Sequence, residues 1–212
     1  MLQLYFHPFA CSLAARIALM EADVEARYHL VHLWKKTVVD DGGDFRAVSA
    51  KGAVPVLVLE DGATLTENAA ILQFIADRRP ELGLAPRPGE ALRYRLQEWL
   101  SFIGCEIHKA FLFPTFWYAD DAAKAAARER IGSTLAIAAA RLDGHPYLVG
   151  DRFTVADGYL AWALLLMPRA GIDLAPWPAL TGFLARIQAR PQVAAAIAIE
   201  RQVFKAMASA SA

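Results

Sequence analysis

The stretch VPVLVLEDGATLTENAAIL, residues 54–72, constrains the fold more than any other, because strand, turn, strand and helix signals follow one another there without a gap. Val56 to Leu59 is a continuous run of β-branched and aliphatic residues, as expected of a strand covered on both faces. Asp61-Gly62 supplies the positive-φ turn of a tight hairpin. Pro55 lacks a ladder donor, so at a strand entry it belongs at an edge, at the first strand position or in a cis bond. Thr66 is expected to cap a helix over residues 67–78 with Glu67 and Asn68 in its first turn. The free N–H groups of that turn form a site for a carboxylate or phosphate.

Upstream, residues 2–6 read as a strand ended by His7-Pro8. Leu13, Ile17, Met20 and Val24 recur at three- and four-residue spacing, which predicts a helix from about Cys11 to Glu21. Residues 28–33 form the next strand, and a strand–helix–strand unit of this length brings its strands together in parallel. Residues 34–49 are polar and irregular, with a turn at 40–43 and room for one short helix. The order is βαβ and then ββα. No Gly-x-Gly-x-x-Gly follows the first strand, so a dinucleotide site has no support.

Pro80, Gly83, Pro86, Pro88 and Gly89 mark a linker over residues 80–90, and everything beyond reads as helix. A long helix over 91–118 carries Leu92, Leu96, Leu100, Ile103 and Ile107 as its core stripe. An Ala-rich helix over 121–142 pairs with it. Thr154 and Asp157 resemble a capping box leading into a helix that runs to Met167. Helices ending near 189 and starting at Pro191 follow, and the small-residue tail 206–212 is expected to fray. The resulting division is an α/β domain over 1–79, the linker, and an all-α domain over 91–212.

A chain of 212 residues, 56% apolar and with mean hydropathy +0.28, buries a sizeable core in two small domains. Lys and Arg balance Asp and Glu at 22 each with no basic block, which argues against nucleic acid or an anionic membrane as partner. The longest apolar run, 159–168, is about half of the roughly 18 residues a spanning helix requires. The N-terminus enters its strand with no leader, so a cytoplasmic location is expected. Cys11 and Cys105 are then thiols rather than a disulfide, and no metal site is expected.

Cys11 at a helix start has two readings. The macrodipole and unpaired N–H groups there favour a reactive thiolate, while a small buried core residue is the bland alternative. No second cysteine stands beside it for a dithiol cycle. Ser101, Cys105 and His108 at i, i+4 and i+7 place a polar strip beside the apolar stripe of the long helix. Lys36 by itself reads as a surface lysine. Phe111, Phe113, Phe116, Trp117 and Tyr118 crowd the helix end, as core packing or as the lining of an apolar pocket.

Together these residues resemble the glutathione transferases, and specifically the bacterial beta class, over essentially the whole chain. The opening LYFHPFACSL resembles that class's first segment with its cysteine, KGAVPVL its cis-proline strand, and TENAAI its glutathione-binding helix start. EWLS with EIHK resembles the second-domain helix, and FTVAD the family's folding motif. The resemblance implies a thioredoxin-like N-terminal domain, an all-helical C-terminal domain, and a homodimer binding glutathione in the cleft between domains. It implies that Val54 pairs its backbone with the cysteinyl unit before cis-Pro55, that Glu67 and Asn68 hold the γ-glutamyl end, and that Lys36 meets the glycyl carboxylate. Cys11 and His108 are placed near the sulfur, with Cys11 accessible and thiolate-prone, and Ser101 and Cys105 as polar neighbours. Asn68 stands for the usual Ser or Gly and Ser101 for the usual Asn. The activity implied is conjugation of glutathione to small hydrophobic electrophiles, in detoxification, with Cys-dependent thiol–disulfide exchange as a further chemistry. The alternative is a binding or regulatory protein on the same fold without turnover.

Overall fold

The structure, a computed structural model, describes residues 1–117 and 120–210. Tyr118, expected in the aromatic cluster, and the last two residues of the tail lie outside the described residues. By packing the chain divides into two units, Met1–Leu84 with Pro191–Ala212, and Ala85–Arg190.

The first unit is built on a sheet of strands β1 (Leu2–Phe6), β2 (Ala26–His32), β3 (Thr37–Val38), β4 (Val56–Val58) and β5 (Thr64–Thr66), in the order β3-β2-β1-β4-β5. β1 and β2 are parallel, with Leu4 opposite Tyr28, and β4 is antiparallel to both β1 and β5. This is the expected βαβ–ββα order, with β3 and a short helix α2 (Phe45–Val48) added in the irregular segment. Two residues are too few to show a strand period, so β3 leaves no signal in the sequence. The hairpin closes as expected: Gly62 sits at φ +86°, and the Leu59 N–H donates to the Ala63 carbonyl at 2.8 Å. Val31, Leu33, Val38, Phe45, Val54 and Val56 pack one cluster of the core, with Ala10 against it.

Helix α1 (Ser12–Glu21) is buried from Ser12 through Leu19 rather than along one stripe, because helix α3 (Asn68–Asp77) and helix α9 (Pro191–Ala210) both pack on it. Chain order assigns residues after 91 to the helical domain, whereas α9 belongs by its contacts to the first unit. The tail expected to fray continues as helix to Ala210, in keeping with the high helix propensity of its alanines.

The second unit is helical. Helix α4 (Ala91–Phe102) runs into a π-helical segment (Ile103–Leu112) and then helix α5 (Phe113–Trp117). Leu96, Leu100, Ile103 and Ile107 form the buried stripe, but Leu92 is half exposed. Helix α6 (Asp121–Leu142) packs on this rod, and helix α8 (Pro178–Gln188) packs on α6 and on helix α7 (Val155–Leu166). The capping box of α7 is complete. Asp157 accepts the Thr154 N–H at 2.8 Å and its hydroxyl at 2.9 Å, and also the Leu148 N–H at 2.8 Å. Burial pushes the Asp157 carboxyl up to about 6, against the downward pull of those donors. No helix among the described residues is long and apolar enough to cross a membrane.

Candidate functional site

In the first unit the site is assembled from the ends of elements. The turn 7–12 between β1 and α1 is held at several points: Ser12 Oγ accepts the His7 N–H at 3.2 Å and donates to the His7 carbonyl at 3.1 Å. His7 donates its Nδ1–H to the Val31 carbonyl at 2.8 Å, and burial lowers its pKa. Phe9, at φ +59°, donates its N–H to Glu200 Oε2 on α9 at 2.7 Å. The other Glu200 oxygen meets Arg16 Nε at 3.1 Å, and the Arg16 guanidinium lies over the Phe6 and Tyr28 rings at 4.4 and 3.9 Å. Sequence reasoning passed over this pair, since 184 residues separate its members.

Cys11 emerges from that turn as the residue before α1. It is buried, at 8% exposure, and its Sγ–H donates to the Val54 carbonyl at 3.2 Å. The expectation of an accessible cysteine is therefore corrected: Val54 belongs to a core cluster against which Ala10 also packs. The peptide bond between Val54 and Pro55 is cis, the option the sequence left among three.

The expected cap of α3 is also corrected. Thr66 is the last residue of β5, paired with Val56, and cannot turn into the helix. Glu67 stands in the cap position at φ +69° with no side-chain hydrogen bond to the helix, so the α3 N-terminus keeps its outward N–H groups without a side-chain cap. Lys51 bridges to it, its Nζ donating to Glu67 Oε1 at 2.6 Å and to Thr66 Oγ1 at 3.0 Å. Asn68 follows, buried, with Nδ2 donating to the Cys11 carbonyl at 2.9 Å. Lys36, at φ +55°, donates its Nζ to the Gly52 carbonyl at 2.8 Å, and burial, then the Arg46 charge, lowers its pKa. Among the described residues four non-glycine positions have positive φ, and three of them, Phe9, Lys36 and Glu67, flank these groups. Such strain gathers where a site fixes its backbone. Cys11, Lys36, Val54, Pro55, Glu67 and Asn68 are thus brought into one neighbourhood, linked through Val54, Gly52 and the Cys11 carbonyl.

In the second unit Ser101 and Cys105 are exposed and His108 is half-buried. The α-helical strip expected for these three is altered from Ile103 onward by the π-helical segment, whose i→i+5 bonds change which side chains stack. His108 Nδ1 is hydrogen-bonded to the Tyr159 hydroxyl at 2.9 Å, and the ring meets Trp162 edge-on at 4.9 Å. Tyr159 and Trp162 on α7 lie in the apolar run 159–168, which carries no signal of this pairing.

A five-stranded sheet of this order, with a cis-proline at β4 and helices packed on it, followed by a helical unit, defines the thioredoxin-like and all-α architecture. The family models described as glutathione S-transferase, N-terminal domain and C-terminal domain match residues 10–78 and 103–191. Glutathione S-transferase GstA of Escherichia coli O157:H7 is 34% identical over 94% of this chain and 98% of that protein. The chain belongs to the glutathione S-transferase family. Among solved structures, a sphingomonad glutathione S-transferase complexed with glutathione is 45% identical, with a TM-score of 0.89 over 93% of this chain and 98% of that one. A bacterial beta class glutathione S-transferase from Sphingomonas chungbukensis is 42% identical, with a TM-score of 0.90 over the same shares.

Proposed function

We propose that the chain conjugates the thiol of glutathione to small hydrophobic electrophiles, and that it does so as a cytoplasmic homodimer in detoxification. The observation that carries this reading is the uncapped α3 N-terminus beside Glu67, linked through Asn68 to the Cys11 turn. A helix N-terminus attracts a carboxylate and an adjacent acid attracts an ammonium, so this corner suits the amino-acid end of a γ-glutamyl peptide. The sphingomonad relative, solved with glutathione, supports the same ligand.

By chain order residues 1–79 then form the glutathione domain, 80–90 a linker, and 91–212 the domain that supplies electrophile contacts, except that α9 packs with the first unit. Glu67 and Asn68 hold the γ-glutamyl end, the Val54 backbone before Pro55 pairs with the cysteinyl unit, and Lys36 meets the glycyl carboxylate. Cys11 neighbours the glutathione sulfur, and His108 exchanges its proton, with Ser101 and Cys105 as polar neighbours; these roles rest on the resemblance. In the reaction the glutathione thiol loses its proton, the sulfur lone pair forms the new bond to carbon, and the leaving group departs with the electrons of the bond it breaks. Burial of Cys11 argues against thiol–disulfide exchange as the main activity.

The test is thioether formation from glutathione with a panel of activated aryl halides and epoxides, run beside glutathionylated disulfides. Enzyme-dependent conjugation of at least one carbon electrophile is expected. Tight glutathione binding with no turnover across the panel overturns the transferase reading in favour of a binding protein.

A further inference from the structure

Tyr159 is 2% exposed yet ends in a hydroxyl, and a hydroxyl taken out of water needs a hydrogen-bond partner. His108 supplies one, its Nδ1 lying 2.9 Å from that hydroxyl. Both residues belong to the helical unit, His108 on the π-helical segment and Tyr159 on α7. The hydroxyl sits close under the backbone of that segment, since a Cβ added at Gly104 would lie 3.8 Å from it. Trp162 follows Tyr159 by three residues on α7 and stacks on it at 5.6 Å. The same indole meets the His108 ring edge-on at 4.9 Å, with an interplanar angle of 79°. The imidazole is thus held at one nitrogen and against one aromatic ring, which sets its plane and commits Nδ1 to α7. π-Helical turns gather at functional sites, and this one carries the held ring.

The direction of the hydrogen bond follows from the two groups. A phenol O–H is the better donor and an imidazole lone pair the better acceptor, so toward a neutral ring Tyr159 donates and Nδ1 accepts. With Nδ1 occupied as an acceptor, the ring proton lies on Nε2. We infer that Tyr159 is a positioning residue for the reaction, holding His108 in the Nε2–H tautomer so that the ring donates a hydrogen bond to the glutathione sulfur as thiolate. This rests on the proposed placing of His108 beside that sulfur and deepens it, by naming the nitrogen that acts and the direction in which it acts. The proton exchanged at the sulfur leaves to water rather than staying on the ring, and the sulfur keeps the electron pair that forms the bond to carbon. A donor fixed in advance stabilises the anion without reorganising. Without the hydroxyl the ring divides between two tautomers, and in one of them a lone pair meets the anion.

A spectrum and a kinetic cycle on the full chain test this together. Spectra of ring-¹⁵N-histidine are taken at pH 8, where an ordinary histidine of pKa about 6.5 is neutral. His108 is assigned among the five histidines by the signal that His108→Ala lacks. Wild type should show a protonated, pyrrole-like Nε2 and a pyridine-like Nδ1, and Tyr159→Phe, which keeps the aromatic ring, should show an average of both tautomers. A proton on Nδ1 in wild type overturns the inference, whether or not the variants fold. Conjugation of an activated aryl halide should fall about fivefold in kcat/KM in Tyr159→Phe, with the affinity for S-methylglutathione, which has no thiol to ionise, unchanged. In the His108→Ala background the same substitution should cost nothing further, because it acts through the ring. An equal loss in both backgrounds marks a purely structural role and overturns the inference. No loss from Tyr159→Phe while His108→Ala is slowed overturns it too, and leaves the proposed placing of His108 standing. If His108→Ala conjugates as fast as wild type, that placing fails and the inference with it.

Discussion

Replacing Arg16 by methionine removes one partner of a buried ion pair without emptying the space it fills. The Arg16 and Glu200 side chains are 4% and 0% exposed, and the second Glu200 oxygen is already engaged by the Phe9 N–H. In Arg16→Met the carboxylate is left buried with that single donor, which costs about 3–5 kcal/mol. The loss depends on pH in a definite direction. Burial raises the Glu200 carboxyl from an ordinary glutamate's 4.5 to about 7, against the pull of the Phe9 N–H and of Arg16. A carboxyl raised on folding binds its proton more tightly in the folded state. Its contribution is therefore most favourable below 4.5 and falls by on the order of 3 kcal/mol as pH rises to 7. Without Arg16 the proton is held to still higher pH. At pH 5 Glu200 is neutral in both proteins, so Arg16→Met should cost about 1.4 kcal/mol less there than at pH 8, one pH unit above the wild-type value near 7. Urea unfolding at both pH values measures this, with the slope checked for constancy. The double variant Arg16→Met/Glu200→Met should recover most of the loss at pH 8, short of about 1–3 kcal/mol for the orphaned Phe9 N–H. A single-variant cost below about 1 kcal/mol at pH 8, or equal costs at both pH values, refutes the reasoning.

Asp157→Ala strips three buried donors of their acceptor and should lower stability by about 2–4 kcal/mol in thermal or urea melts while leaving glutathione affinity unchanged. A normal melt with weakened binding would move Asp157 from scaffold to site. In the ligand-free protein at neutral pH, iodoacetamide should label exposed Cys105 before buried Cys11, as read by peptide mass spectrometry; labelling of Cys11 first contradicts the geometry at Val54. Sedimentation at micromolar concentration should report about twice the 23.2 kDa chain mass, and a monomer throughout a tenfold dilution series counts against the dimer.

What the sequence made legible was local. Asp61-Gly62 between two apolar runs announces a hairpin, and Thr154 with Asp157 announces a cap, because each effect is decided within a few residues. The cap of α3 was misplaced for the same reason: threonine is the better local cap, but pairing of Thr66 with Val56 takes it into the sheet and forces Glu67 into a positive φ. Burial of Cys11 depends on Val54, 43 residues away, and the grip on its turn depends on Glu200. No periodicity carries such distances. The π-helical segment leaves no mark in a stripe of Leu and Ile that fits an α-helix equally well through Ile107. The site residues themselves were found through the family's motifs, and the geometry then corrected the exposure expected of Cys11.

The most direct test of the central claim is calorimetry of glutathione on wild type and Glu67→Ala. One site per chain is expected in wild type. Loss of the Glu67 carboxylate should weaken it by about 1–3 kcal/mol, roughly five- to 150-fold, with the melting curve of the free protein preserved because Glu67 is exposed. Equal affinity in the two proteins, or no binding by wild type, contradicts the account.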